Sequence, residues 1–445
     1  MIFTQFVDDD LGCASYLVGD EKTGAAAVID PAFAIEQYLA EAERRRVRIV
    51  RAVETHTHAD HVSGHGRLAL EHGIPVSVHP AAEAEYPHEP MEDGDEVELG
   101  QVVLRCIHTP GHRPEHCCLA VIDGSRGADP WLVLTGDSLF VGDVARPDLA
   151  VEAREGAEGL FHSLRRLTEL GDGVEVYPGH VAGSLCGKAM SSKASTTIGF
   201  ERRFNHALTT NDVDCFIAET VSIAAPKPPN MNRIVELNRG PFVGAQPDPP
   251  EVPVPGPEAQ VLDVRPTDEY ANGHLPGAVS VPVSGTRFST KAGFVLNAER
   301  PVAVAATDEA QAARAVRGLR AVGIFDLEGY ILGGGDRTLP LVSVDELDEL
   351  LASGAELIDV REKDERDDGY IAASRNIPYR MLALGENDLP RDRPLVTICE
   401  SGPRAVIAAS ILSAHGFDAR AVANGGIDDW KAAGRPLVEF RRCGS

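Results

Sequence analysis

The sequence predicts an α/β protein with one larger N-terminal domain followed by two smaller, related domains, each a doubly wound parallel sheet. Three observations lead to this fold class. Short β-branched strands alternate with helices, a proline-rich stretch interrupts the chain once, and the sequence after that stretch repeats itself. We place the N-terminal domain at 1–240, a linker at 241–260, the first repeat at 261–340 and the second repeat at 341–445.

The N-terminal domain begins with short strands that end in polar turns. The strand "AAAVID" ends at the turn "DPAF", and "IEQYLAEAERR" has the apolar spacing of a helix. "VRIVRAVETH" is then predicted to be a strand that runs directly into the histidine-rich segment "ETHTHADHVSGH". The histidines are therefore expected at the end of a strand.

The linker is marked by its prolines, and the repeat by matched residues. The text "RGPFVGAQPDPPEVPVPGPEAQ" cannot form a helix or an interior strand. After it, "LDVRPTDEYANGHLPGAVSVPV" aligns with "IDVREKDERDDGYIAASRNIPY" at a constant offset of 96 residues. The matched pairs are Asp263 and Asp359, Arg265 and Arg361, Glu269 and Glu365, Gly273 and Gly369, and Pro282 and Pro378. In each copy an apolar strand and a helix follow, as in a doubly wound α/β domain.

Composition and charge narrow the class of function. The 445 residues carry a formal net charge of −26, which argues against nucleic acid or an anionic membrane as a partner. The N-terminus "MIFTQFVDDDLG" carries acids where a signal peptide has a basic region, so we expect a cytoplasmic enzyme, and we expect it to form a homo-oligomer. The eight cysteines show no framework spacing and are expected to be reduced thiols.

A set of histidines and acids in the N-terminal domain indicates a metal site. His56, His58, Asp60 and His61 lie within six residues after a strand, where buried polar groups need partners. Three further candidates follow in "HTPGHRPEH", "VLTGDSLF" and "VYPGH", namely His112, Asp137 and His180. The remaining histidines in this region are interpreted as solvated or core residues: His65, His72, His79, His88, His108 and His116.

The pattern is compatible with two kinds of metal site. All seven side chains together would suit a two-zinc hydrolase, in which a bridging hydroxide attacks a thioester or lactone. The subset His56, His112 and Asp137 would instead provide the two-histidine, one-carboxylate face that suits non-haem Fe(II) and leaves three positions open.

A cysteine in the second repeat is predicted to be a nucleophile. Cys399 follows the strand "PLVTI", and helical periodicity begins at about Arg404. Backbone N–H groups of the loop and the positive end of the helix should favour a thiolate, with Gly402 and Pro403 forming the tight turn. Arg404 adds a fixed cation suited to an oxyanion.

The first repeat lacks this chemistry. Ala306 stands opposite Cys399, no cysteine occurs in 240–340, and the nearest arginine in register, Arg314, implies a longer loop. We therefore expect an inactive copy that serves as a spacer or docking domain.

These motifs resemble known families. The HxHxDH segment with the later His, Asp and His resembles the metallo-β-lactamase superfamily, an αββα sandwich that holds one or two metals in its loops. The DVR start, the C-x4-R loop and "NGGIDDWKAAGRPL" resemble the rhodaneses, whose loop cysteine carries a persulfide. One departure is "GYIAAS" where rhodaneses have "GHIPGA", which puts substrate contacts from that loop in question.

The whole chain resembles bacterial fusions of a persulfide dioxygenase with rhodanese domains. "THTHADHVSG", "TGDSLFVGDVARPDL" and "GSLCGKAMSSKASTTIGFERRFN" carry that likeness. The resemblance implies a single Fe(II) held by His56, His112 and Asp137. It implies that four more residues orient and hydrogen-bond these ligands: His58, Asp60, His61 and His180. Arg146 and Cys186 are candidates for contact with the substrate or for sulfur relay.

The function implied is a coupled one. The iron site would oxidise a low-molecular-weight thiol persulfide with O2 to sulfite, and the persulfide on Cys399 would pass its outer sulfur to sulfite to form thiosulfate. Such a pathway would detoxify sulfide. Two alternatives remain: a two-zinc thioester hydrolase of the glyoxalase II type with rhodanese appendages, and a sulfur-docking or sulfide-sensing module without turnover.

Overall fold

The computed structural model describes residues 1–147, 152–181, 191, 193–221, 227–384 and 388–438. The chain divides into two compact units. The N-terminal unit comprises Met1–Gln246 and Arg320–Gly323, and the C-terminal unit comprises Pro247–Leu319 and Ile324–Ser445. Strands and helices alternate in both units, so the predicted α/β class is confirmed.

The N-terminal unit contains two six-stranded sheets. The first consists, in spatial order, of β1 (Ile2–Val7), β2 (Ala14–Asp20), β3 (Ala25–Ile29), β4 (Arg48–Val53), β5 (Val76–Val78) and β6 (Glu89–Pro90). The second is formed by β7 (Glu96–Glu98), β8 (Val102–His108), β9 (Cys117–Asp123), β10 (Leu132–Gly136), β11 (Glu175–Pro178) and β12 (Thr196–Thr197), also in spatial order. Most neighbours are antiparallel, while β3 to β6 and the pair β10–β11 run parallel.

Helices cover the outer faces of these two sheets. They are α1 (Glu36–Arg45), α2 (His65–His72), α3 (Ala153–Thr168), α4 (Ile198–Phe204), α5 (His206–Thr209), α6 (Val213–Val221) and α7 (Met231–Arg239), with a 3-10 turn at Pro80–Ala82. Tyr16 of β2 and Leu119 of β9 belong to one apolar core between the sheets. Val28 packs with Tyr38 and Leu68 of α1 and α2, and Val133 packs with Leu160 of α3, on the opposite faces. The predicted αββα sandwich is therefore confirmed.

The C-terminal unit contains one parallel sheet for each sequence repeat. The first repeat has sheet order β14-β13-β15-β16 and consists of β13 (Gln260–Asp263), α8 (Thr267–Asn272), β14 (Val279–Ser280), α9 (Phe288–Val295), β15 (Val302–Ala306), α10 (Glu309–Ala321) and β16 (Leu327–Leu332). The second has order β17-β21-β20-β18-β19 and consists of β17 (Leu341–Val342), α11 (Val344–Ala352), β18 (Glu356–Asp359), α12 (Lys363–Asp367), β19 (Arg375–Asn376), α13 (Tyr379–Leu382), β20 (Leu395–Ile398), α14 (Pro403–Ala414), β21 (Ala419–Val422) and α15 (Ile427–Ala432). All strand pairs in these sheets are parallel, as predicted.

Helix α14 is buried on all sides. Every residue from Ala405 to Leu412 is buried, a pattern expected only of a helix covered on opposite faces. One cover is the sheet of its own repeat, and the other includes β14 of the first repeat, whose Ser280 N–H donates to Ser410 Oγ at 3.0 Å. The two repeats therefore share a packed contact at the helix that follows Cys399.

Among the described residues, no helix combines the length and the apolarity needed to span a bilayer.

Candidate metal centre and cysteine loop

Three of the predicted metal ligands converge at the ends of strands in the N-terminal unit. His56 follows β4, Asp137 follows β10, and His112 lies in the turn between β8 and β9. The Asp137 Oδ2 atom lies 3.9 Å from His56 Nε2 and 3.6 Å from His112 Nε2. All three side chains are buried, and Asp137 Oδ2 has no hydrogen-bond partner among the described residues. A buried carboxylate oxygen without a partner fits a bound cation.

The other ring nitrogens of the two histidines are occupied, which fixes their tautomers. Thr55 Oγ1 donates to Asp30 Oδ2 at 2.8 Å, so its oxygen accepts from His56 Nδ1 at 2.9 Å. His112 Nδ1 donates to the carbonyl oxygen of Arg146 at 3.1 Å. Each ring therefore presents an unprotonated Nε2 toward Asp137, which is the form that binds a metal.

Electrostatics support the same protonation states. Burial lowers the pKa of both His56 and His112, so both rings are neutral. Burial raises the pKa of Asp137, but its interactions with His180 and His112 outweigh that effect and hold the pKa well below its usual range. The three residues thus offer two neutral nitrogens and one carboxylate oxygen.

Asp137 is oriented by two histidines. Its backbone N–H donates to His116 Nε2 at 3.0 Å, and its Oδ1 lies 2.7 Å from His180 Nδ1. The backbone of Gly136 has φ +46°, and a Cβ there would lie 2.7 Å from His116 Nε2. His116 was expected to be a solvated or core residue, and it is a core histidine. It also fixes the backbone of Asp137, a candidate ligand.

His58 lies next to His56, with ring centroids 4.3 Å apart, but its Nε2 faces two carboxylates. Its Nε2 is 3.3 Å from Asp30 Oδ1 and 3.3 Å from Glu54 Oε2, and all three side chains are buried. Burial lowers the pKa of His58, but the two carboxylates outweigh it and raise the pKa to about 9. The two carboxylates therefore favour the charged form of His58 in this arrangement.

The other motif residues form a second cluster around a cysteine. His180 Nε2 and Asp60 Oδ2 are 2.7 Å apart, and His61 Nδ1 lies 3.1 Å from Asp60 Oδ1. Cys13, at the start of β2, places its Sγ 3.3 Å from His180 Nε2 and 3.4 Å from Asp60 Oδ2. These side chains contact one another, although His61 Nε2 has no hydrogen-bond partner among the described residues. The part played by Cys13 was not predicted from the sequence.

A residue distant in sequence holds the histidine loop in place. The Asn238 amide on α7 donates to the carbonyl oxygens of His58 and His61 at 2.9 and 2.8 Å. Its Oδ1 accepts from Ser63 N at 2.9 Å. Asn238 is buried and uses its whole amide to fix the backbone of the loop.

The two candidate substrate residues are placed differently. Arg146 is buried, and its carbonyl oxygen receives the His112 hydrogen bond. A role for its side chain in substrate binding stays a prediction. Cys186 lies outside the described residues.

In the C-terminal unit, Cys399 lies between β20 and α14. Its side chain is buried, and the Gly402 N–H donates to its Sγ at 3.1 Å. Gly402 has φ +106°, and a Cβ there would lie 2.1 Å from the carbonyl oxygen of Ala423. The tight turn therefore requires glycine, and it brings a backbone donor to the sulfur.

Two arginines next to this loop are paired with carboxylates. Arg404 donates from Nη1 and Nη2 to the two oxygens of Glu365, both at 2.6 Å. Arg361 is buried and donates to Asp359 Oδ2 at 2.8 Å and to Glu400 Oε2 at 2.9 Å. The loop thus carries arginines whose charges are already compensated.

In the first repeat, the corresponding loop is hydrogen-bonded to side chains of the same repeat. Thr307 N–H donates to Gln311 Oε1 at 2.8 Å, and Thr307 Oγ1 donates to Glu269 Oε2 at 2.9 Å. Ala306 is the last residue of β15, and Cys399 directly follows β20, the corresponding strand of the second repeat. This loop has no sulfur and offers no nucleophile.

Comparison with known proteins identifies the family of each half of the chain. A model of the Metallo-beta-lactamase superfamily matches residues 8–180, and a model of the Rhodanese-like domain matches residues 253–335 and 343–433. The protein called "Persulfide dioxygenase ETHE1, mitochondrial" from Bos taurus is 30% identical over 230 residues, which are 50% of this chain and 82% of that one. The chain belongs to the metallo-beta-lactamase superfamily and carries two rhodanese-like domains.

Two further relatives of this metallo-beta-lactamase and rhodanese protein bear on its function. A crystal structure titled as a metallo-beta-lactamase from Staphylococcus aureus has a TM-score of 0.69 and 30% identity, and the match covers 75% of this chain and 98% of that one. The protein called "Hydroxyacylglutathione hydrolase cytoplasmic" from Arabidopsis thaliana is 35% identical over 170 residues, which are 37% of this chain and 62% of that one. Relatives of the N-terminal unit thus bear the names of more than one activity.

Proposed function

We propose that the N-terminal unit is a persulfide dioxygenase that holds one Fe(II) with His56, His112 and Asp137. The observation that carries the proposal is the division of the seven motif side chains. His56, His112 and Asp137 converge around Asp137 Oδ2, a buried oxygen with no hydrogen-bond partner among the described residues. His58 faces Asp30 and Glu54 instead, and Asp60, His61 and His180 surround Cys13. The similarity to the bovine persulfide dioxygenase supports the proposal.

The residues present fit the metal. Two imidazole nitrogens and one carboxylate oxygen are the donor set preferred by non-haem iron, which supplies redox chemistry toward O2 and open positions for a sulfur ligand. Thr55 and the Arg146 carbonyl hold the two rings so that each Nε2 stays unprotonated. His180 occupies Asp137 Oδ1, which leaves Oδ2 as the donor.

The overall reaction balances with water. A persulfide, RSSH, reacts with O2 and H2O to give the thiol RSH, sulfite and two protons. The S–S bond breaks, the outer sulfur loses four electrons, and O2 accepts them. The substrates are small molecules, as expected for a buried site reached by sulfur compounds and gas.

Sulfite is then the acceptor of the outer persulfide sulfur at the second site. A second persulfide transfers its outer sulfur to Cys399, which becomes Cys–S–SH and releases RSH. Sulfite attacks the outer sulfur, thiosulfate leaves, and the electrons of the broken S–S bond return to Cys399 as a thiolate. The Gly402 N–H at 3.1 Å stabilises that thiolate.

A second candidate function is hydrolysis of a thioester by a two-zinc site. It is favoured by the presence of all seven motif side chains, six of them buried, and by the Arabidopsis hydrolase relative. It requires His58 to leave Asp30 and Glu54, and Asp60 to leave His180.

One experiment separates the two functions. Purified protein reconstituted with iron is given glutathione persulfide, or a glutathione thioester, with and without O2. We expect sulfite only with persulfide and O2, and a loss of at least about a hundredfold in His112→Gln, because one of three ligands is gone. The exposed His72→Gln is the matched control. Thioester hydrolysis without O2-dependent sulfite formation would favour the hydrolase instead.

A further inference from the structure

An ion pair between Arg404 and Glu365 lies beside the cysteine loop. Arg404, the second residue of α14, is the cation that was predicted to suit an oxyanion. Its two terminal nitrogens instead both donate to Glu365 on α12. This end-on pairing with a carboxylate uses the part of a guanidinium best suited to a planar anion.

The pair lies in the cysteine loop, because Arg404 follows Gly402, whose N–H donates to Cys399 Sγ, by two residues. Burial lowers the pKa of Arg404, but Glu365 and, to a smaller extent, Cys399 raise it above its usual range. Arg404 is 23% exposed and Glu365 is 34% exposed, so both side chains can be reached from solvent. Arg361, the other arginine beside the loop, is also compensated, by Asp359 and Glu400.

Glu365 is held independently of Arg404. Its Oε2 also accepts from Glu362 N at 3.0 Å, at the first turn of α12. The carboxylate therefore stays in place as a fixed negative charge. An incoming anion at the loop meets an arginine whose charge is already balanced.

We propose that Glu365 sets how strongly the Cys399 loop binds anions, because it is the counter-ion of Arg404. It is a positioning residue that acts through Arg404, and it weakens binding of sulfite and other anionic acceptors relative to neutral thiols. This inference rests on the sulfur transfer proposed above. It makes Glu365 a determinant of which acceptor takes the sulfur.

The first repeat provides a matched comparison. Glu269 occupies the position of Glu365, but its carboxylate accepts from Thr307 and faces a loop without a cysteine. Glu269→Gln should therefore leave sulfur transfer unchanged. Glu365→Gln retains an oxygen that can accept from Glu362 N, so α12 should keep its first turn while the negative charge is lost.

The first test measures sulfur transfer by the full chain without O2, which silences the metal site. Thiosulfate formation from glutathione persulfide is followed while sulfite is varied. Glu365→Gln should lower KM for sulfite roughly two- to fivefold with kcat changed less than about twofold, the size expected for one partly exposed charge. An unchanged or raised KM overturns the proposal, because a purely structural role would raise KM or lower kcat.

The second test does not depend on sulfur transfer. Alkylation of Cys399 by iodoacetate, an anion, is compared with alkylation by neutral iodoacetamide, using mass spectrometry of the Cys399 peptide. Glu365→Gln should raise the iodoacetate-to-iodoacetamide rate ratio roughly two- to fivefold, whereas a change in access would alter both rates together. An unchanged ratio overturns the inference. If the wild type forms no thiosulfate but the ratio rises, the proposed transfer fails and the role of Glu365 stands.

Discussion

At the scale of single residues, the partners of a histidine decide whether it can bind a metal. His56 and His58 are two positions apart, yet His56 gives its Nδ1 proton to Thr55 and is neutral, while His58 is charged between Asp30 and Glu54. A charged imidazole has no lone pair for a metal. Under the proposed function, His58 is therefore not counted among the ligands.

The charge of His58 predicts a pH dependence of stability. Its pKa is raised from 6.5 to about 9 in the folded protein, so its stabilisation is complete below about pH 6.5 and is lost as the pH rises toward about 9. In metal-free protein, the free energy of unfolding should fall over this interval, and His58→Gln should remove that part of the slope. Denaturant unfolding from pH 6 to pH 9.5 measures both. Equal slopes in the two proteins would show that His58 is neutral.

At the scale of elements, strand ends bring the candidate ligands together, and a distant helix holds one of their loops. The positions of His56, His112 and Asp137 could be predicted because each follows or precedes an apolar strand. Asn238 could not, because nothing in "MNRIVELNR" distinguishes its amide from the exposed Asn232, and its contacts are with backbone atoms of His58, His61 and Ser63. The role of Cys13 could not be predicted either, because it depends on a side-chain cluster that only tertiary packing brings together.

Removing the Asn238 amide should loosen this loop. Asn238→Ala leaves two carbonyl oxygens and one N–H of the loop without their partner, and each loss costs about 1–3 kcal/mol when the group stays buried. We expect a lower melting temperature and faster loss of bound metal to a chelator. Asn232→Ala, an exposed change on the same helix, is the control. Metal loss at the wild-type rate would show that the amide does not position the site.

The contact between the two repeats makes a prediction for α14. Ser410→Ala removes the acceptor of the buried Ser280 N–H and should cost about 1–3 kcal/mol. Sulfur transfer should then be lost at a lower temperature, while O2 uptake keeps its wild-type temperature profile. Ser413→Ala, at a half-buried position on the same helix, should change neither. An unchanged inactivation temperature would mean that the first repeat does not support the cysteine loop.

At the scale of the whole molecule, the chain carries two chemically different candidate sites, one in each unit. The repeat at offset 96 and the histidine motif made this division predictable, because each feature is local in sequence. The predicted boundaries stay predictions, and the rhodanese match begins at residue 253, within the predicted linker. The pairing of Arg404 with Glu365 could not be foreseen, since both repeats carry the glutamate and its partner depends on the loop opposite.

The division of labour predicts the effect of removing the sulfur carrier. Cys399→Ser should leave persulfide-dependent O2 uptake within about twofold of wild type and shift the product from thiosulfate to sulfite, because the oxygen atom cannot hold a transferable sulfur. Sulfite and thiosulfate are quantified after complete conversion. The exposed Cys215→Ser is the matched control. An unchanged thiosulfate yield in Cys399→Ser would break the proposed coupling.

The central claim is one iron site that oxidises a persulfide. It is tested most directly by measuring metal content per chain and O2 uptake on the same purified, iron-supplemented sample given glutathione persulfide. We predict about one iron per chain and one O2 consumed for each sulfite formed. Two zinc ions per chain, with no O2 uptake after iron reconstitution, would contradict the account.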